Sequence, residues 1–231
     1  MHKTWTFLSI AALLSCSSLA QADLVAVKGS VDYWYTEGDA NMAPQSQSDL
    51  SLDQKGSAQV TLAIEHPVPL LPNVKLRYSK IDNQTEQQIA NTPVYDIQME
   101  NADYILYYEL LDNVVSADLG IAAKQINADI TVNGLTQSKI DETYPMLYGS
   151  VTAKLPFTGW SISSETLLTD YDDTRISDTQ AEIKYNFVDN LLVDLGAKVG
   201  YRALNIEMDK NSNNERKFEF KGPYIGLDAH F

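Results

Sequence analysis

The last eight residues, 224–231, constrain the fold more than any other part of the chain. Apolar side chains occupy every second position here, at Ile225, Leu227, Ala229 and Phe231. Because successive side chains of a strand point to opposite faces, this period of two places all four on one face of a β-strand. An apolar strand with a free edge invites aggregation, whereas a closed barrel has no free edge. We therefore expect the chain to end within a strand of a closed β-barrel.

The same alternation recurs in ten runs along the chain. Even strand numbers and tilted strands of about ten residues are typical of transmembrane barrels. We therefore predict an all-β fold, a transmembrane antiparallel up-and-down β-barrel of about ten strands, with eight or twelve as alternatives. The runs contain, in order, Val31, Val60, Leu76, Leu106, Leu119, Val151, Ile162, Ile183, Leu195 and Leu227.

The connections between these runs alternate between short and long. In transmembrane barrels, short turns lie on the side of the chain termini and long loops on the other side. The pattern therefore predicts that both termini lie on one side and that long polar loops lie on the other. The short links fall near 67–73, 112–113, 156–159 and 188–190, and the long ones near 38–56, 82–100, 127–142, 170–178 and 207–217.

The N-terminal segment, residues 1–22, has the features of a cleaved secretory signal. Lys3 precedes a short apolar run, and Ala20 and Ala22 form a small-x-small cleavage site. We therefore divide the chain into a signal peptide, 1–22, and a barrel domain, 23–231.

Cys16 is the single cysteine and lies within the signal segment. The mature chain is thus expected to contain no disulfide, thiol nucleophile or cysteine metal site. An alternative is that 13–16 is a lipoprotein box, which would make Cys16 a lipidated N-terminus.

The overall charge excludes several kinds of partner. The chain has 31 acidic and 17 basic residues, a formal net charge of −14. This acidity argues against nucleic acid and against docking to anionic lipid through a basic patch. The sequence also has no apolar run of about eighteen residues that would predict a transmembrane helix.

The residues between the apolar positions are predicted to point into the barrel. Nine acids and eight bases occupy these positions, so the lumen is nearly neutral. An unpaired charge in a narrow lumen is costly, which favours a filling of salt bridges over a wide pore. The alternative is a narrow path for ions or a small solute. The predicted lumen charges are Lys28, Asp32, Glu65, Lys75, Arg77, Asp103, Glu109, Asp118, Lys124, Lys154, Glu165, Glu182, Lys184, Asp194, Lys198, Arg202 and Asp228.

The remaining acids are expected mostly on the loop side, where Asp170, Asp172, Asp173 and Asp178 form the densest group. Solvated loops are the expected role of this group, and binding of divalent cations is the alternative.

Two segments are out of phase with the runs beside them. Ile126, Ala128 and Ile130 have the opposite parity to Leu119, which predicts a bulge near 124–125. Likewise, the phenylalanines at 218 and 220 are out of phase with the one at 231, which predicts a break at Gly222-Pro223.

Asn133-Gly134 is a strong signal for a type I′ turn, so strands five and six are predicted to form a protruding hairpin.

The sequence contains no recognisable catalytic constellation. His66 and His230 are the only histidines after residue 22, and both lie on the predicted termini side. No zinc spacing, phosphate loop or nucleophile elbow is present. We therefore expect no enzymatic activity and no cofactor.

The terminal segment resembles the C-terminal assembly signal of Gram-negative outer-membrane barrels through Tyr224, Gly226, Leu227, Ala229 and Phe231. The whole of 23–231, including the turn 66–73, resembles the family of small integral outer-membrane β-barrel proteins whose members mostly have no assigned role.

This resemblance implies an outer-membrane location with both termini in the periplasm. It implies contacts with membrane lipid and lipopolysaccharide, and with the barrel-assembly machinery and periplasmic chaperones during biogenesis. We expect a monomer with a structural or surface-interaction role, while a narrow channel or carrier and a surface enzyme are the alternatives.

Overall fold

The protein is a closed antiparallel barrel in the computed structural model, which describes residues 25–42, 50–85, 94–190, 193–210 and 215–231. Each strand pairs with its sequence neighbours, and β1 pairs with β10, so the predicted fold class and the strand number of ten are confirmed. The predicted signal segment, with Cys16, lies outside the described residues. The strands are β1 (Ala26–Met42), β2 (Leu50–Glu65), β3 (Asn73–Gln84), β4 (Tyr95–Leu111), β5 (Val115–Val132), β6 (Leu135–Lys154), β7 (Trp160–Tyr171), β8 (Thr174–Asp189), β9 (Asp194–Met208) and β10 (Arg216–His230).

The barrel closes through the first and last strands. Val27 and Phe231 exchange two backbone hydrogen bonds, each N–O distance being 2.9 Å. We call the end of the barrel that holds Phe231 the termini end, and the opposite end the hairpin end. Among the described residues, none forms a helix long and apolar enough to cross a bilayer.

The outer wall carries an apolar belt next to the termini end. On β1 the outward side chains run from Val25 to Tyr35, and Val31 between them is 61% exposed. Ten residue steps at about 3.3 Å, on strands tilted by about 40°, give a belt about 25 Å tall. That height matches the apolar band of transmembrane barrels. The belt makes this wall suited to hydrocarbon.

Beyond the belt, the strands continue toward the hairpin end in place of the predicted long loops. The predicted links 127–142 and 170–178 are mostly strand, and each narrows to a two-residue turn, at 133–134 and at 172–173. Asn133 has φ 51° and Gly134 has φ 79°, which confirms the protruding hairpin. Much of the predicted loop sequence therefore lies on rigid strand extensions.

The predicted bulge near 124–125 is absent, because β5 keeps one register with β4 and β6 through these residues. Ile126 and Ile130 point into the barrel and are at most 1% exposed. The predicted break at 222–223 is also wrong, since β10 keeps its register with β9 there, and Phe220 is buried inside.

Both errors have one physical cause. Past the belt, the wall faces water, so its polar side chains turn outward and its apolar side chains turn inward. In β5 and β10 the alternation continues through the predicted breaks, and only the chemistry of the two faces is exchanged.

Candidate functional site

The interior of the hairpin-end half is closed by apolar side chains from every strand. We call this set the apolar layer, and each member is 5% exposed or less. A water-filled lumen would leave inward-facing side chains accessible to solvent, so this level of the barrel is sealed. The layer comprises Ala40, Leu52, Ile81, Met99, Ile126, Ile140, Leu167, Ile176, Leu204 and Phe220, in strand order.

Directly below the apolar layer, buried ion pairs converge on Asp178. Arg202 donates from Nε to Oδ1 at 2.9 Å and from Nη2 to Oδ2 at 2.8 Å. Lys124 Nζ and Arg77 Nη2 reach the same Oδ2 at 2.9 and 3.1 Å. All four side chains are at most 3% exposed. One carboxylate therefore holds three cations, each from a different strand.

Two further acids complete this network and offset most of its positive charge. Asp103 accepts from Arg77 Nε at 2.7 Å and lies 2.7 Å from Lys124 Nζ. Glu165 accepts from Arg77 Nη1 at 2.9 Å and from Lys75 Nζ at 2.6 Å. We call these residues the ion-pair network: Lys75, Arg77, Asp103, Lys124, Glu165, Asp178 and Arg202. Buried charges are tolerated when they are paired in this way.

Neighbouring groups extend the network around the lumen. Gln59 accepts from Arg202 Nη1 at 2.6 Å and donates to Asp32 at 3.1 Å. Lys198 lies 3.0 Å from Asp32 and 3.3 Å from Glu182. The Trp34 ring covers the Arg202 guanidinium at 4.5 Å, an arrangement typical of a cation–π contact.

On the termini-end side, the interior holds a cavity of about 760 Å³. Its walls carry two ion pairs, Lys28–Glu65 at 2.6 Å and Lys184–Asp228 at 3.0 Å. Lys75 and Glu165 of the ion-pair network also line it. The other predicted lumen charges that line this cavity are Glu109, Asp118, Lys154, Glu182, Asp194 and Lys198.

Asp178 lies at the centre of the interior, so its predicted place among the acids of an outer loop is wrong. The segment 170–178 was expected to be a loop, whereas Asp178 lies within β8. Its even number puts it on the same face as Glu182 and Lys184. The parity of residue 178 therefore indicates an inward-facing side chain once β8 is extended by four residues toward its N-terminal end.

The residues of the terminal segment divide between the two faces of β10. Tyr224 and Gly226 face inward, and Tyr224 donates its hydroxyl hydrogen to Glu182 at 2.7 Å. A Cβ on Gly226 would lie 1.9 Å from Asp32 Oδ1, so a side chain at this position would displace Asp32 from its place beside Lys198. The outward residues are Leu227, Ala229 and Phe231.

The two histidines are far from any catalytic arrangement. His66 lies in the β2–β3 turn, and His230 Nδ1 is 3.6 Å from Asp194 at the cavity mouth. In the part of the chain that the structure describes, no group of three or more His, Cys, Asp or Glu is placed to hold a metal ion.

The apolar belt outside and the paired charges inside define the class of this protein, a membrane β-barrel whose lumen is packed with side chains in the hairpin-end half and holds a polar cavity in the termini-end half.

Comparison with protein-family models gives no match, and neither does comparison with curated proteins. Among solved structures, the outer membrane protease OmpT of Escherichia coli is similar at 8% identity and a TM-score of 0.44, over 89% of this chain and 96% of that one. The transport unit of the Escherichia coli autotransporter AIDA-I is similar at 10% identity and a TM-score of 0.43, over 96% of each chain. Neisserial surface protein A is similar at 14% identity and a TM-score of 0.34, over 88% of this chain and 97% of that one. These distant similarities assign neither an activity nor a residue role to this chain.

Proposed function

We propose that this chain is an integral outer-membrane protein whose sealed barrel has a structural or surface-interaction role and conducts no solute. The observation that carries the proposal is the apolar layer, to which all ten strands contribute side chains that are 5% exposed or less. Close-packed apolar side chains across the lumen oppose the passage of ions, because the cost of desolvating an ion is large. The ion-pair network adds a second sealed level directly below it.

In this proposal, the termini end faces the periplasm and the strand extensions project from the cell. The outer face of the extensions is polar and includes Glu100, Asp129, Lys139 and Asp141. A rigid, charged surface of this kind suits contact with lipopolysaccharide or with a macromolecule outside the cell. Membrane lipid, the barrel-assembly machinery and periplasmic chaperones are the partners that we propose during biogenesis, and the working state is a monomer.

We also propose that the protein is not an enzyme. The carboxylates of the ion-pair network, Asp103, Glu165 and Asp178, are each engaged by two or more cations. A carboxylate held in this way serves poorly as a general base, because its lone pairs are occupied.

Single-channel conductance in a planar bilayer tests the proposal. The refolded barrel is expected to give no discrete openings across a wide voltage range. Discrete openings would contradict a sealed barrel and would favour the narrow-channel alternative.

Thiol labelling from each side of a vesicle gives an independent test, for which Cys16→Ser removes the single native cysteine. Thr152→Cys, on the cavity wall, should react with a membrane-impermeant reagent from the termini side alone. Asn133→Cys, in the hairpin turn, should react from the opposite side alone and is the matched control. Reaction of residue 152 from both sides would contradict the seal.

A further inference from the structure

Two turns at the termini end hold the most exposed large apolar side chains of the described residues. Leu70, in the β2–β3 turn, is 92% exposed, and Phe157, in the β6–β7 turn, is fully exposed at 107%. Both residues also have a positive φ, 67° and 65°. A positive φ is unfavourable for bulky residues other than glycine, because it brings Cβ too close to the backbone. The fold thus holds two large apolar groups outward in an unfavourable backbone geometry.

Many polar backbone groups of the β2–β3 turn form hydrogen bonds within the turn itself. Pro67, Pro69 and Pro72 have no N–H to satisfy. The His66 ring accepts from Val68 N at 3.3 Å through Nδ1 and, in the tautomer with hydrogen on Nε2, donates to Pro72 O at 3.1 Å. Leu71 N donates to Val68 O at 3.4 Å.

The lipid-facing wall of the barrel also holds this turn. Tyr108, which points outward from β4 and is 47% exposed, donates its hydroxyl hydrogen to Leu70 O at 2.9 Å. The contact brings the turn against the wall on the side of the apolar belt. No residue from 66 to 74 is an acid, a lysine or an arginine. The turn is thereby continuous with the belt in position and in chemistry.

The β6–β7 turn, whose residues 155–160 lie at the rim of the termini-end cavity, also satisfies part of its backbone within the protein. Leu155 and Trp160 are joined by a backbone hydrogen bond of 2.9 Å, and Thr158 Oγ1 donates to Leu155 O at 2.9 Å. Asn186 N from β8 donates to Gly159 O at 2.8 Å. The ring of Trp160 packs beside that of Tyr185 at 4.9 Å, and such aromatic rings favour the membrane interface. By contrast, the β4–β5 turn at the same end contains Asp112 and Asn113.

We infer that the β2–β3 and β6–β7 turns lie in the interface of the adjacent leaflet, from which the side chains of Leu70 and Phe157 reach the acyl chains of the lipid. Internal satisfaction of polar backbone groups is what an apolar medium demands. The two turns are four strands apart in a barrel of ten, so they anchor nearly opposite sides of the termini end. Two such anchors fix how deeply the barrel sits and limit its tilt. This inference rests on the proposed membrane location.

Site-directed spin labelling of the full chain tests it, in vesicles of phosphatidylcholine and phosphatidylglycerol and on a Cys16→Ser background. Nitroxide labels are placed at Leu70→Cys and Phe157→Cys, with Asn113→Cys as a polar turn control and Leu76→Cys on the belt as a lipid reference. Collision with dissolved oxygen reports lipid, and collision with a water-soluble nickel chelate reports water. We expect severalfold lower nickel accessibility at 70 and 157 than at 113.

The reference position separates the two ways in which the test can fail. Water-like values at 70 and 157, with a lipid-like value at 76, would overturn the interfacial position of the turns and leave the membrane location intact. Water-like values at 76 as well would overturn the proposed membrane location and, with it, this inference. Because these vesicles contain no second protein, a partner protein cannot produce the lipid-like result. Unchanged strand content by circular dichroism verifies that each labelled variant is folded.

Discussion

Asp178 and Arg202 form a two-point ion pair across β8 and β9, with N–O distances of 2.9 and 2.8 Å. The pair lies between the apolar layer above and the polar cavity below. Asp178 is 1% exposed, and Arg202 is also 1% exposed. Two more cations, Arg77 and Lys124, share the same carboxylate. A single acid thus contacts three of the four cations of the ion-pair network.

Asp178→Asn is expected to destabilise the barrel strongly, because it leaves three buried cations short of an anion. Breaking a buried ion pair by removing one partner costs about 3–5 kcal/mol. The measurement is the free energy of unfolding by urea in lipid vesicles, followed by tryptophan fluorescence. Asp170→Asn is the matched control, since Asp170 is an exposed acid near the hairpin end of neighbouring β7 and its loss should change stability little. Equal effects of the two substitutions would contradict the central role of Asp178.

The wall of this barrel was predictable from its sequence, whereas half of its interior was not. Alternation with a period of two identifies the strands whichever face is apolar, so ten strands were found. The direction of the apolar face depends on the solvent outside the wall. Phe220 and Ile126 lie beyond the belt, where water replaces lipid, and the reasoning from a lipid-facing wall therefore misassigned them as signs of a bulge and a break.

The sequence predicted which charged residues face the interior, but not which of them pair with one another. Parity identified Arg77 and Glu165 as lumen candidates, but their contact joins residues 88 positions apart. Such a contact depends on how the closed barrel brings β3 opposite β7, which no local pattern encodes. Asp178 was assigned to a loop for a related reason. The polar segment that contains it has the composition of a loop but forms a strand beyond the belt.

Phe220→Ala tests the apolar layer. The Phe220 side chain is fully buried, so its removal leaves a cavity, and core substitutions of this kind cost about 3–5 kcal/mol. The measurement is again the free energy of unfolding in vesicles. Leu227→Ala on the same strand is the matched control, because Leu227 is 61% exposed on the outer face and its loss leaves no internal cavity. A larger loss of stability from Leu227→Ala than from Phe220→Ala would argue against a packed interior.

Asp170 gives a prediction about pH outside the apolar belt. Hydrogen bonds from Lys210 and Arg175 lower the pKa of the Asp170 carboxyl below its ordinary value. A lowered folded-state pKa means that the contribution of Asp170 to stability is present above the unfolded-state pKa and is lost as pH falls through the folded-state pKa. Carbon NMR titration of the Asp170 carboxyl should give a pKa below that of an aspartate in a peptide. Lys210→Met should raise that pKa, and an unchanged titration in this variant would contradict the contact.

Deletion of Phe231 is expected to impair insertion of the barrel in cells. The residue supplies the terminal aromatic of the proposed assembly signal, and it also exchanges two backbone hydrogen bonds with Val27 where β1 meets β10. Its loss therefore weakens both recognition and closure. The measurement is the amount of membrane-inserted, heat-modifiable protein relative to the full chain, for which we expect a severalfold decrease. Phe231→Tyr keeps an aromatic ring and both backbone bonds, so it should insert normally. Normal insertion of the deletion variant would show that this terminus is not required for assembly.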